Sequence, residues 1–217
     1  MSDAARPARL YLVTPKDFDP DPFAALLDRA LAAHPVACLR LDLGAAPEER
    51  WRAAASHLLP VAHAHDVALV IAEHHRLVVP LGLDGVHLAA SRAPVRDVRK
   101  ALGKDRIVGT FAGTSRHIAM TRAEAGADYV SLGPVGETGA LGDGRCAGDE
   151  LFHWWAEMIE TPVVAEGGVT PADTARLAPF ADFVVPNPVV WTAPDGIEAA
   201  LAPYAEALAD RGAPMTA

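Results

Sequence analysis

The sequence predicts an α/β chain folded as a single (β/α)8 TIM barrel. Short apolar, β-branched runs alternate with alanine-rich stretches, the runs number eight, and no low-complexity linker breaks the rhythm. Strands are expected near 10–14 (LYLVT), 36–42 (VACLRLD), 67–72 (VALVIA), 83–88 (LDGVHL), 106–110 (RIVGT), 127–132 (ADYVSL), 161–165 (TPVVA) and 181–185 (ADFVV). Helix starts lie between them. Asp19-Pro20-Asp21-Pro22, Ala46-Pro47-Glu48-Glu49 and Thr170-Pro171-Ala172-Asp173 each place proline at or near the first helical position with acid close behind. The third helix, between His74 and Gly82, is short, and a closing helix runs from about Gly196 to Ala209. Eight units of about 27 residues suit a closed barrel spanning 1–217 as one domain. An open doubly wound sheet of the same length is the alternative that pattern alone leaves.

Composition narrows the classes of function. Apolar residues at 51% supply a full core, and a formal charge of −9 argues against nucleic acid or an anionic membrane surface as partner. Cys38 and Cys146 form neither a disulfide framework nor a CxxC site. The opening MSDAARPARL has no apolar h-region and no run is long enough to cross a membrane, so a cytoplasmic protein is expected.

Charged and polar residues cluster where barrel active sites form. Arg40, Asp42, Glu73, His87 and Glu166 sit near the carboxyl ends of strands two, three, four and seven, which converge on one mouth. Arg40 and Asp42 share a strand face by period two and are expected to pair. His87 reads equally as a core histidine satisfied by a backbone partner. Glu166, directly before Gly167-Gly168, is a candidate general base with its pKa set by Arg40 and His87; the alternative is a salt bridge. His63/His65 and His74/His75 lack chelating spacing, so a metal set such as Glu73, His74 and His87 is disfavoured. After strand six, residues 133–148 hold six glycines, which predicts a mobile binding loop. Trp154-Trp155 is expected in the helix behind that loop, one ring packed on the sheet and the other available for self-association.

Four segments together resemble the thiamin phosphate synthase family, which includes the thiazole tautomerases. They are Leu10-Tyr11-Leu12-Val13-Thr14, Asp84-Gly85-Val86-His87-Leu88, Gly126 through Pro134 (GADYVSLGP), and Ala165-Glu166-Gly167-Gly168-Val169-Thr170. Their order and spacing cover nearly the whole chain and favour the closed barrel over the open sheet. The resemblance implies a transferase of thiamin biosynthesis, in which a pyrimidine pyrophosphate ionises under Mg²⁺ and basic residues and a thiazole phosphate captures the cation. It also implies a small phosphorylated ligand as partner, and a homo-oligomer, as is frequent in the family.

Position by position, much of that chemistry is replaced. The family's glutamine, arginine and lysine on strand two fall on Cys38, Arg40 and Asp42. Its Asn-Asp pair after strand three falls on Ala72 and Glu73, and its Gly-Gln and second metal aspartate fall on Ala89-Ala90 and Arg92. A pyrophosphate-binding serine becomes Phe111. In the glycine-rich loop Thr138 matches, while a threonine and a lysine become Ala140 and Leu141; a phosphate-cup serine becomes Pro188. One lysine about 4 Å from a phosphate charge is worth roughly 4 kcal/mol at an effective dielectric near 20, so Asp42 in its place turns attraction into repulsion. Mg²⁺ is therefore expected to be weakly held, with Glu73 the remaining ligand.

These departures predict altered or lost activity. Alternatives are a non-catalytic phosphate-ligand binder, or an isomerase transferring protons through Glu166 or His117; the tautomerase histidine falls on Gly113, one helical turn before His117. A phosphate is expected at Gly167, Gly168, Thr138 and Asn187, with Arg145 replacing the absent lysine.

Overall fold

The computed structural model describes residues 8–89, 93–138 and 141–209. Eight parallel strands close a barrel in chain order: β1 (Arg9–Val13), β2 (Val36–Leu41), β3 (Ala68–Ala72), β4 (Gly85–Leu88), β5 (Ile107–Phe111), β6 (Tyr129–Leu132), β7 (Val163–Val169) and β8 (Phe183–Pro186). Helices α1 (Pro20–Ala33), α2 (Glu48–Ala64), α3 (His75–Val78), α4 (Val95–Leu102), α5 (Arg116–Glu124), α6 (Asp149–Met158), α7 (Pro171–Leu177) and α8 (Ile197–Ala209) cover the outside. Every expected strand is present, and the open sheet is excluded because β1 pairs with both β2 and β8. Among the described residues no helix is long and apolar enough to cross a membrane.

Alternation along each strand sorts the core into two parts. Outward residues such as Leu10, Leu39, Ile71 and Val130 pack under the helices in one large cluster. Inward residues Tyr11, Cys38, Val70, Tyr129, Val164 and Val185 make a smaller apolar plug inside the barrel. Space for that plug depends on Gly109: a Cβ there would lie 1.9 Å from Cζ of Tyr129, so only glycine lets the tyrosine ring cross the barrel. At the opposite end from the mouth, one device recurs on the even strands. Asp84, Asp128 and Asp182, each just ahead of its strand, accept the backbone N–H of Leu69, Val108 and Val163 at 2.7–2.8 Å.

The helix starts follow their sequence signals. Asp19 and Pro47 precede α1 and α2, and Thr170 with Asp173 forms a full capping box on α7. Most strand boundaries shift by one or two residues, and one differs by more. β7 runs on to Val169 rather than stopping at 165, because a bulge between Ala165 and Val169 carries it past Glu166-Gly167-Gly168 before it rejoins β8 at Pro186.

Candidate functional site at the barrel mouth

Parity places Arg40, His87, Ser131 and Glu166 inside the barrel, one layer above the apolar plug. Glu166 on β7 reaches across to Arg40 on β2. Nη1 of Arg40 donates to Oε2 at 3.3 Å, Nη2 contacts Oε1, and the Ser131 hydroxyl also donates to Oε2. Both charged side chains are only 7% exposed. Burial alone would raise the Glu166 pKa, but Arg40 and His87 beside it hold the carboxyl down to about 2. Burial likewise opposes the Arg40 charge, and Glu166 more than compensates, so that the guanidinium is raised above its ordinary value.

One expectation is narrowed here and one changes. Glu166 takes the salt-bridge alternative, with both of its oxygens accepting hydrogen bonds from Arg40 and Ser131. Arg40 does not pair with Asp42, although the two share a strand face. Asp42 lies one step higher, at the rim, where its Oδ2 meets Lys16, its Oδ1 accepts from Gly44 N–H at 3.0 Å, and its own N–H donates to Thr14 Oγ1 at 3.0 Å.

His87 is fully buried, and its partner is a side chain rather than the expected backbone group. Nδ1 is 2.9 Å from the Tyr129 hydroxyl, which is itself 2.7 Å from the Tyr11 hydroxyl. Burial, and then the Arg40 charge, lower its pKa well below the ordinary histidine value, so the ring is neutral. Nε2 of His87 and Nε of Arg40 are buried without a hydrogen-bond partner. Tyr11, Tyr129, Ser131 and Lys16 were not singled out from the sequence. The alternation in LYLVT and YVSL points the first three inward and was the signal available for them.

Glu73 caps β3 at the rim in a left-handed conformation (φ 63°), uncommon for a residue with a side chain and costing about 1–3 kcal/mol. Bonds to the end of β4 hold it there: its N–H donates to His87 O at 2.9 Å, and its Oε1 accepts from Ala89 N–H at 2.7 Å. Two cavities share Lys16, Arg40, Asp42, Leu141 and Glu166 as their common wall. The larger, about 480 Å³, reaches Trp51, Glu73, His87 and Phe111. The smaller, about 260 Å³, lies against Thr14, Thr138, Gly167, Gly168, Pro186 and Pro188. Trp51 is anchored by Nε1–H to Ala46 O at 3.0 Å and packs on His74 with ring centroids 4.5 Å apart.

The expected phosphate residues divide. Thr138, Gly167 and Gly168 do line the smaller cavity. Both glycines have positive φ (89° and 67°), and a Cβ on Gly167 would come within 2.8 Å of Pro134. They therefore also seat the glycine-rich loop: Gly167 O accepts from Val135 and Gly136 N–H at 2.9 Å, and Pro134 O accepts from Ala147 N–H at 2.7 Å. Asn187 is not a cavity donor. Its Oδ1 caps the 3-10 turn Pro188–Thr192 through Val189 N–H at 3.1 Å, and its own N–H faces the Tyr204 hydroxyl at 3.4 Å. Arg145 does not replace the absent lysine. It is solvent-exposed and pairs with Asp143 two residues back through Nε at 3.0 Å and Nη2 at 2.6 Å.

His117 is exposed in the first turn of α5. Trp155 is buried with Nε1–H donating to Thr161 O at 2.8 Å, and Trp154 is partly buried under the Arg116 guanidinium. The resemblance implies Mg²⁺, and the carboxylates described at the mouth do not fit it. Asp42 is engaged by Lys16 and Gly44, Glu73 by Ala89, and Glu166 by Arg40 and Ser131. Arg92 and Ala90 lie outside the described residues. Among the described residues no three His, Cys, Asp or Glu side chains gather as a metal site; His63 pairs with Asp84 and His65 with Asp28.

Comparison with known proteins agrees with this architecture. A family profile described as thiamine monophosphate synthase matches residues 10–184. The thiamine-phosphate synthase of Rhodospirillum centenum is 42% identical over 198 residues, covering 90% of this chain and 95% of that protein. The thiamine-phosphate synthase of Erythrobacter litoralis is 33% identical, covering 96% and 99%. Among solved structures, a thiamine phosphate pyrophosphorylase from Pyrococcus furiosus superposes with a TM-score of 0.82 at 20% identity, over 94% of this chain and 97% of that one.

Proposed function

Because the chain belongs to the thiamine monophosphate synthase family, we propose that it is a thiamine-biosynthesis barrel which binds one small phosphorylated heterocycle at its mouth and does not run the metal-assisted pyrophosphate displacement efficiently. One observation carries this reading. Among the described residues, each cation lining the mouth cavities is already matched by a carboxylate of the chain itself, Arg40 by Glu166 and Lys16 by Asp42. With Glu73 added, three acids and two bases line the larger cavity among the described residues. A pyrophosphate and its developing negative charge need the reverse balance, since catalysis of such a departure rests on electrostatic stabilisation by cations.

A phosphomonoester asks for less. The smaller cavity offers a close backbone approach at Gly167-Gly168 with Thr138 beside it. Pro186 and Pro188 supply no N–H on the facing wall. Inorganic phosphate is therefore expected to bind near millimolar, about −4 kcal/mol, and a phosphorylated heterocycle to gain further from Phe111.

The test is to incubate the protein with the pyrimidine pyrophosphate, the thiazole phosphate and Mg²⁺, and in parallel to titrate the thiazole phosphate alone. Binding without Mg²⁺, with no thiamine phosphate formed, is the expected result. Coupling at about one turnover per second or faster, within the ordinary enzyme range, overturns the reading. A second reading, an active thiamine-phosphate synthase, is favoured by the 42% identity to the Rhodospirillum centenum protein of that name. The same assay decides between them.

A further inference from the structure

We infer that Glu166 is a specificity residue: a carboxylate of the chain itself occupies the guanidinium of Arg40, keeps polyanions off the floor of the mouth, and leaves that floor to uncharged hydrogen-bonding groups. The inference deepens the proposed function by assigning the rejection of pyrophosphate to one side chain.

Geometry carries the argument. An arginine recognises oxyanions through parallel N–H bonds from its planar fork. Here Nη1 and Nη2 both face Glu166, and the acceptor is further fixed by the Ser131 hydroxyl. An incoming oxyanion would have to break all three contacts and expel a carboxylate buried to the same degree as the guanidinium. The pair is also part of the wall common to both cavities, so an occupant of either meets it.

The unpartnered polar atoms beneath the floor have a different character. Nε of Arg40 and Nε2 of His87 are buried, unpartnered, and belong to residues lining the larger cavity. Each presents one hydrogen-bonding position, and the neighbouring ion pair has no net charge. An uncharged polar group suits that arrangement; a multiply charged group does not. Stability is a weak reason for such a pair, because buried ion pairs are commonly replaceable by well-packed apolar side chains without loss.

The experiment measures binding of inorganic pyrophosphate, without metal and without turnover, to the wild-type chain, to Glu166→Gln and to Glu166→Thr, with melting curves to show that each is folded. Glutamine keeps the shape and one acceptor oxygen while removing the charge; threonine provides a second route should glutamine fail to fold. Removing a unit charge about 5 Å from the anion, after screening, should tighten binding at least about tenfold. Adding Arg40→Gln to either variant should abolish the gain, showing that the freed guanidinium is what binds. Equal affinity in the wild type and a folded Glu166 variant overturns the inference, as does a gain that survives Arg40→Gln. Because nothing is turned over, failure here leaves the coupling assay of the proposed function to stand or fall separately.

Discussion

Replacing Glu166 by leucine leaves the Arg40 guanidinium buried beside an apolar group that cannot accept its hydrogen bonds. Breaking one half of a buried pair costs about 3–5 kcal/mol. Arg40 lines the mouth cavities, and water can approach from that side, so the lower end, about 3 kcal/mol, is expected. Ser131 loses its acceptor as well, adding roughly 1 kcal/mol. For a chain of this size a total loss of about 4 kcal/mol should lower the melting midpoint by about 8–16 °C. Removing both charges, Arg40→Met with Glu166→Leu, eliminates the stranded guanidinium, and the double variant should recover most or all of the loss. Urea unfolding followed by circular dichroism completes the double-mutant cycle, provided the slope is unchanged between variants. A single-variant loss below about 1 kcal/mol would show that solvent reaches the guanidinium freely, and the account of a desolvated pair would be wrong.

Three further outcomes are expected. His87 is neutral in the folded chain, facing Tyr129, Arg40 and Glu166, while in the unfolded chain it takes a proton below about pH 6.5. Stability should therefore be full above that pH and fall as acid is added; Glu166 adds its own loss from the ordinary carboxylate range down toward about 2. Urea midpoints between about pH 5 and 7.5 should slope upward in the wild type and flatten in His87→Gln; equal slopes would contradict the buried neutral ring. Gly109→Ala should displace the Tyr129 ring and cost at least about 1–3 kcal/mol, so an unchanged melt would mean that the ring has another place to go. In amide exchange, Val135, Gly136 and Ala147 should be slow and 141–145 fast; equal protection of 141–145 and those three amides would refute the expectation.

Fold was legible because its signals are local. Runs such as VALVIA and ADYVSL declare strands buried on both faces, and Thr170-Pro171-Ala172-Asp173 announces a capped helix whatever surrounds it. The mouth was legible in membership but not in pairing. Strand ends brought Arg40, Glu73, His87 and Glu166 together as expected, yet which carboxylate meets Arg40 depends on the height of each residue above the plug, and that is set by the stagger of β2 against β7. Asp42 and Glu166 are equivalent candidates in one dimension. Lys16 escaped notice because it lies beyond β1, where periodicity ends, and Asn187 was misjudged because its amide serves a 3-10 turn not foreseen after β8. Arg145 carries the charge the resemblance asks for, but Asp143 two residues away takes it up.

Trp51 is the one tryptophan of the chain's four that lines the mouth cavities. The other three sit in α6 or the 3-10 turn after β8, where Trp155 donates to Thr161 O and Trp191 to Val13 O. The indole of Trp51 is fixed by its own hydrogen bond and by the His74 ring, so its orientation is set before any ligand arrives. Although the residue is only 1% exposed, it belongs to the wall of the larger cavity, so a ligand seated there is expected to shift its emission, with Trp191, bonded to Val13 in the wall of the smaller cavity, as a second reporter. Occupancy can thus be read on the unlabelled protein, including for ligands that undergo no reaction.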